Sequence, residues 1–163
     1  MSQTKGPRRP PRGLQRWLWR APIWLYRLGL GGLLGRRFLL LTHTGRKTGL
    51  PRQAVVEIAD YDETTNTYTI ASGFGRRSDW YRNLQKTPQA TIQVGNRKMS
   101  VLAELLSPEE SGEAMVRYAR RHPAAARSLA RVLGLEVDGT EEGYRRVARE
   151  HIPFVRLHVQ EER

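Results

Sequence analysis

Residues 38–59 read FLLLTHTGRKTGLPRQAVVEIA, and this stretch decides which fold the chain is expected to adopt. Its first part, Phe38 to Thr44, is a short apolar and partly β-branched run that ends at Gly45, which is typical of a strand entering a turn. Residues 53–59 have the composition of a second strand. The short connection between the two runs predicts an antiparallel pair.

More strands and several helices are predicted beyond this pair. The strands cover residues 68–71, 90–94, 98–106 and 152–159, with Gly95-Asn96 as the turn of a hairpin. Helices are predicted over 78–86, from the Ser107-Pro108 cap onward, over 124–133 and over 140–150. About six mostly antiparallel strands, with helices gathered near the end, predict an α+β fold with a barrel or strongly curled sheet.

The charge of the chain is strongly uneven along its length. The 163 residues carry 28 Lys and Arg against 16 Asp and Glu, a net charge of +12. Twelve of the basic residues precede the first acidic residue, Glu57, and the remaining charges cancel. A uniformly basic, histone-like chain is therefore excluded. The absence of cysteine excludes a disulfide scaffold, a thiolate nucleophile and cysteine-ligated metal sites.

The first third of the chain predicts two segments ahead of a body at 35–163. Residues 1–13 have the composition of a disordered basic tail. Residues 14–34 place leucines and tryptophans on one face of a helix, with arginines opposite. Because its apolar stretch is shorter than the roughly 20 residues of a membrane span, this helix is expected either to pack on the body or to lie on an anionic membrane surface. The expected location is cytoplasmic, with peripheral attachment to the inner face of the plasma membrane in the case where the helix lies on lipid.

Two segments carry the residues best suited to binding. Residues 44–52 combine two glycines, hydroxyls and three cations in a turn, which favours an anion such as phosphate or carboxylate, although a basic hairpin can simply be solvated. Residues 71–84 place a glycine-bracketed loop before Trp80 and Tyr81. This arrangement suits a flat heterocycle, although such aromatic residues more often belong to a core. The four histidines are dispersed, so no metal site is predicted, and no hydrolase motif is present.

Taken together, these segments contain motifs that resemble those of a known family. Thr-Gly-Arg-Lys-Thr-Gly-x-Pro-Arg at 44–52, Ala-Ser-Gly-Phe-Gly at 71–75 and Asp-Trp-Tyr-Arg-Asn-Leu at 79–84 resemble the deazaflavin-dependent nitroreductase and quinone reductase family. The resemblance implies a split β-barrel, like that of the FMN-binding relatives of pyridoxamine-phosphate oxidase. It also implies coenzyme F420, a deazaflavin with a phosphate and an oligoglutamate tail, as the hydride carrier.

The resemblance further implies a role for each matching residue. The phosphate and the first tail carboxylates would be held by Arg46, Lys47, Thr48 and Arg52. Ala54, Val55 and Val56 would lie along the cofactor, and Ser72 and Gly73 would approach the deazaflavin through backbone groups. The far side would be closed by Asp79, Trp80, Tyr81, Arg82 and Asn83. No catalytic side chain is predicted, because the hydride comes from the cofactor; Tyr118 and Tyr144 are the candidate contacts to the acceptor.

The function implied is transfer of a hydride from reduced F420 to a small-molecule acceptor, which can be a quinone, a nitroaromatic compound or an activated enone. A quinone is favoured because the amphipathic helix would place the protein near a membrane that stores quinones. An FMN- or haem-binding barrel is one alternative. A basic nucleic-acid-binding module is another, but it is not expected, because the charge lies in a tail and a turn and the aromatic residues form no repeated stacking surface.

Overall fold

The computed structural model describes residues 37–132, 134–135 and 137–161, and the tail and helix predicted for 1–34 lie outside this part of the chain. In chain order the elements are β1 (Phe38–Thr44), β2 (Pro51–Asp62), β3 (Thr67–Ala71), α1 (Asp79–Lys86), β4 (Gln89–Val94), β5 (Arg97–Leu105), α2 (Pro108–Arg121), α3 (Pro123–Val132), α4 (Glu141–His151) and β6 (Phe154–Val159), with a short 3₁₀ turn at Gly75–Arg77.

The strands form a closed barrel in the order β1-β2-β3-β6-β5-β4. β1 pairs antiparallel with both β2 and β4, β2 with β3, and β4 with β5. The register of the first pair, which matches Thr44 with Pro51, encloses the turn at 45–50. The prediction of an α+β fold built on a barrel of six mostly antiparallel strands is confirmed.

Burial along the strands depends on whether one or both faces are covered. Leu39, Leu40 and Leu41 of β1 are all buried, as the continuous apolar run suggests for a strand covered on both faces, and α1 packs against this strand. β5 instead alternates, with Met99, Val101 and Ala103 buried and their neighbours largely exposed, because one face of a strand meets the core and the other meets solvent.

The described residues group into two compact units. The barrel unit comprises 37–70, 79–104 and 156–161, and the helical unit comprises 71–78, 105–132, 134–135 and 137–155. In the helical unit, α2 begins with the expected capping box: Glu110 donates its backbone N–H to the Ser107 hydroxyl, and the Glu110 carboxylate accepts from the Ser107 N–H, with Pro108 in the first turn. The core of this unit includes Met115, Val116 and Val147.

Two strands differ from the sequence prediction by two residues or more at an end. β6 begins at Phe154 rather than Ile152, because Ile152 still donates its backbone N–H to Ala148 at 3.1 Å and so ends α4. β2 is longer than predicted at both ends and reaches Asp62, whose carboxylate accepts from the Thr64 N–H at 2.9 Å and so starts the next turn.

Candidate functional site

The turn between β1 and β2 is closed by short hydrogen bonds. Gly45 donates its N–H to the Leu50 carbonyl at 2.8 Å, and Gly49 donates to the Gly45 carbonyl at 2.8 Å. The Leu50 N–H donates to the Thr48 hydroxyl at 3.2 Å. Gly49 has a φ of +71°, a left-handed conformation that glycine adopts without strain. A Cβ at Gly45 would lie 2.8 Å from Thr48 Oγ1 and 3.2 Å from the Leu50 carbonyl oxygen, so the turn closes tightly around this residue.

The same turn leaves donors available for a ligand. Within the described residues, the backbone N–H groups of Lys47 and Thr48 donate to no acceptor, and neither does the Lys47 ammonium. The side chains of Lys47, Thr48 and Arg52 are exposed. Consecutive free amides beside two cations form a site for an anion, so the donor set fits a phosphate or a carboxylate.

Arg46 occupies a different position from its neighbours. Its backbone N–H and its Nη1 both donate to Asn83 Oδ1, at 3.0 and 2.9 Å, and its Nη2 donates to Asp79 Oδ1 at 3.2 Å. The Arg46 side chain is only 20 % exposed, whereas that of Asp79 is 75 % exposed. The guanidinium is thus bound to the first two turns of α1, and the turn at 45–50 is tied to that helix.

His43 lies at the base of this arrangement. It is 4 % exposed, and Asn83 Nδ2 lies 2.9 Å from its Nδ1. Burial lowers the pKa of His43 from 6.5 to about 4, an effect that Asp79 opposes and Arg52 reinforces through their charges. The imidazole is therefore neutral at pH 7.

Two residues of this site were not predicted from the sequence. His43 is one of four dispersed histidines and its spacing predicts no role for it; nor does the sequence pattern predict one for Lys86, whose Nζ donates to the Arg46 carbonyl at 2.7 Å. The sequence contains a weak signal for each residue. His43 lies two residues before the turn. Lys86 follows Asn83 by three residues, a spacing that places Lys86 and Asn83 on one side of α1.

The other residues predicted for the barrel unit have mixed exposure. Tyr81 is buried, Trp80 is half-buried, and their rings meet edge to face with centroids 6.2 Å apart. Arg82 is exposed. The β2 residues predicted to lie along the cofactor are all half-buried: Ala54, Val55 and Val56.

The remaining predicted residues belong to the helical unit. Ser72 is buried; its N–H donates to the Pro153 carbonyl at 2.9 Å and its hydroxyl to the Gly75 carbonyl at 2.6 Å. The N–H of Gly73 has no acceptor among the described residues. Tyr118 and Tyr144 are each 5 % exposed. Their contact with an acceptor, like the contacts of Ser72 and Gly73 with the deazaflavin, stays a prediction.

Two other kinds of feature are absent from the described residues. Across 37–132, 134–135 and 137–161, no cluster of three or more His, Asp or Glu side chains has the geometry of a metal site. None of the helices in the same part of the chain combines the length and the apolar character needed to span a membrane.

The closed six-stranded barrel thus carries, between β1 and β2, a turn whose unpaired amides and exposed cations suit an anionic ligand. A family model described as F420H(2)-dependent quinone reductase matches residues 20–133, so the chain belongs to that family. The predicted family, its cofactor coenzyme F420 and the assignment as an oxidoreductase are confirmed. F420 carries a phosphate and several carboxylates, and the donor set of the turn fits these groups.

Individual relatives agree with this result. One Mycobacterium tuberculosis protein assigned the same activity is 34 % identical over 86 residues, which span 52 % of this chain and 71 % of the relative. An F420H(2)-dependent quinone reductase of the same species is 32 % identical over 92 residues, 53 % of this chain and 61 % of the relative. The solved structure of an F420-H2-dependent reductase, at 20 % identity, has a TM-score of 0.52 over 76 % of this chain and 96 % of its own, which shows a shared fold.

Proposed function

We propose that this protein transfers a hydride from F420H2 to a quinone, and that Lys47, Thr48 and Arg52 bind the phosphate and the first tail carboxylates of the cofactor. The observation that carries the proposal is the turn at 45–50, with two backbone N–H groups left unpaired by the described residues beside exposed cationic side chains. Nitroaromatic compounds and activated enones are the other acceptor classes consistent with a hydride donor.

Each side chain of the turn suits a particular role. The planar guanidinium of Arg52 can bind a carboxylate through two parallel hydrogen bonds, whereas the Lys47 ammonium acts as a mobile point charge. The Thr48 hydroxyl already accepts from Leu50, and its hydrogen remains available to donate to a phosphate oxygen. Arg46 also forms part of the frame of the turn, because two of its five guanidinium N–H groups donate to Asn83 and Asp79. Its other N–H groups are proposed to contribute to binding the same anion.

In this proposal the cofactor and the protein have different roles. Bound F420H2 supplies a hydride, and reduction of a quinone to a quinol takes up one further proton. The protein binds the anionic end of the cofactor and thereby positions it. Trp80 and Tyr81, with the backbone of Gly73, are proposed to contact the deazaflavin. Tyr118 and Tyr144 are proposed to contact the acceptor.

The test compares cofactors with and without a tail. Fluorescence titration gives the dissociation constants of F420 and of a tail-less deazaflavin for the wild type, for Lys47→Ala and for Arg52→Ala. Loss of one charge-assisted hydrogen bond is expected to weaken F420 binding about tenfold or more, with little effect on the tail-less analogue.

Lys98→Ala is the matched control, because Lys98 is an exposed lysine of β5. Lys98 pairs with Gln93, which itself pairs with Leu40, so Lys98 lies two strands away from β1 and level with a residue four positions before the end of β1 at the turn. Equal weakening of both cofactors by Lys47→Ala and Arg52→Ala would contradict the role assigned to these residues. An acceptor screen with menaquinone analogues, nitroaromatics and enones, in which the quinones gave no turnover, would contradict the quinone assignment.

We also propose a cytoplasmic location with peripheral attachment through residues 14–34, which lie outside the described residues. The support is their sequence pattern, in which tryptophans and leucines lie opposite arginines. Flotation with anionic liposomes is expected to carry the full chain but not a chain lacking 1–34. Equal flotation of both would argue against attachment through this segment.

A further inference from the structure

We propose that His43 is a positioning residue for the cofactor-binding turn: its neutral imidazole accepts a hydrogen bond from Asn83 and thereby sets the amide orientation that holds Arg46. This inference rests on the proposed function only where it concerns F420. The network itself is a property of the ligand-free protein.

The orientation of the Asn83 amide follows from chemistry. The backbone N–H and the Nη1 of Arg46 are both obligate donors, and both lie within 3.0 Å of the same Asn83 atom. That atom must be the oxygen, so the NH₂ of Asn83 faces the other way. The NH₂ group lies 2.9 Å from His43 Nδ1, which must therefore be an acceptor with the ring proton on Nε2.

Burial makes the hydrogen bonds of this site depend on the orientation of the Asn83 amide. Asn83 is 3 % exposed and His43 is buried, so a wrongly oriented amide could not find water as a substitute partner. A flipped amide would place NH₂ against two donors of Arg46, and a protonated His43 would place N–H against N–H. Each error would weaken the hydrogen bonds from Arg46 to Asn83, leaving the turn attached to α1 through the bonds from Arg46 to Asp79 and from Lys86 to the Arg46 carbonyl.

The charged groups around His43 do not replace this hydrogen bond. Arg52 of β2 is the cross-strand neighbour of His43, and Asp79 of α1 also acts on it through its charge. These two charges have opposite effects on the imidazole, whereas burial favours its neutral form. The neutral ring at pH 7 is thus a consequence of where β1 places it.

The first part of the test uses the ligand-free protein. Histidine-selective ¹⁵N NMR at pH 7 is expected to show His43 with Nδ1 unprotonated and Nε2 protonated. Hydrogen exchange at the Arg46 amide is expected to be about tenfold faster in His43→Leu, which removes the acceptor, than in wild type or in His43→Gln, whose side-chain oxygen can still accept from Asn83. A protonated Nδ1, or equal exchange in all three proteins, would overturn the proposal.

The second part measures F420 binding. His43→Leu is expected to bind F420 about tenfold more weakly than wild type, with a smaller effect on a tail-less deazaflavin, and His43→Gln is expected to restore tail-dependent binding. If wild type binds F420 and His43→Leu binds it equally well, the positioning role is wrong. If wild type itself shows no affinity for F420, the proposed function fails, while the NMR and exchange results still decide the network.

Asn83→Asp serves as a second variant should His43→Leu not fold. A carboxylate accepts from Arg46 but cannot donate to His43, so the ring is expected to take a proton on Nδ1 and its pKa to rise measurably above the wild-type value. An unchanged His43 titration in Asn83→Asp would overturn the proposed contact.

Discussion

The turn after β1 and the packing of α2 against α4 both use arginine, but in different environments. At the turn, Arg46 is mostly buried and donates to the amide oxygen of a buried asparagine. In the helical unit, Arg120 donates to Glu141 at 2.6 Å, yet both side chains are more than half exposed. The hydrogen bond from Arg120 holds the pKa of Glu141 below its ordinary value, but water can replace either partner.

This difference shows which contacts specify geometry. An exposed ion pair tolerates loss of a partner, because solvent screens the charges and hydrates both groups. A buried amide between an obligate donor and a neutral acceptor has one satisfactory orientation, and every alternative leaves a polar group unpaired. We therefore expect single polar substitutions to disturb the geometry of the turn. In the helical unit we expect only substitutions that change side-chain size at packed positions to have a comparable effect.

The largest expected effect is the pH dependence contributed by His43. Its pKa is 6.5 in the unfolded chain and about 4 in the native protein. Above pH 6.5 the imidazole is neutral in both states, so its burial does not lower the free energy of unfolding. As the pH falls from 6.5 to 4, this free energy decreases, because only the unfolded chain takes up the proton. The full loss is about 3 kcal/mol. Denaturant unfolding between pH 7.5 and 4.5 is expected to show a steeper decline for wild type than for His43→Gln, and parallel curves would contradict the buried neutral ring.

A smaller effect is expected where α2 approaches α4. A Cβ at Gly112 would lie 2.8 Å from Arg145 Cγ and 3.0 Å from the Arg145 carbonyl oxygen, which belongs to the backbone and cannot rotate away. Gly112→Ala should thus lower the free energy of unfolding by about 1 kcal/mol, after allowing for the better helix propensity of alanine. Arg117→Ala, at an exposed position of α2, is the control. Stabilisation by Gly112→Ala would show that the helices separate without penalty.

The smallest effect is expected for Glu141→Gln. The change removes the charge that pairs with Arg120 but preserves a hydrogen-bond acceptor at an exposed site. The melting temperature is expected to stay within experimental scatter of wild type in moderate salt, and F420 affinity to stay unchanged. A clear loss of stability would mean that this exposed ion pair stabilises the protein as much as the buried network does. The two regions would then not differ in the way described above.

Much of the fold could be predicted because it depends on neighbours in sequence. The apolar run of β1, the Gly95-Asn96 turn and the Ser107-Pro108 cap are local signals, and each marks an element of the structure. The end of α4 at Ile152 was mispredicted as strand, because an alternating apolar pattern continues across Pro153 while a backbone hydrogen bond still belongs to the helix.

The candidate site was predictable only as a set of motifs. Residues 44–52 and 79–84 could be recognised by composition and order, and the family they resemble is confirmed. Which side chains face a ligand could not be derived in this way. Arg46 and Lys47 are adjacent and alike in sequence, yet the first is bound to α1 and the second is exposed.

The sequence by itself thus determined the strand-turn-strand unit, the concentration of positive charge before Glu57 and the family. Only the tertiary structure decided that His43, Arg46 and Asn83 form one network, since 37 residues separate Asn83 from Arg46 and 40 separate it from His43. The physical reason is that a hydrogen bond depends on where packing places two groups. Here α1 packs on β1 and places an amide between a buried imidazole and the turn.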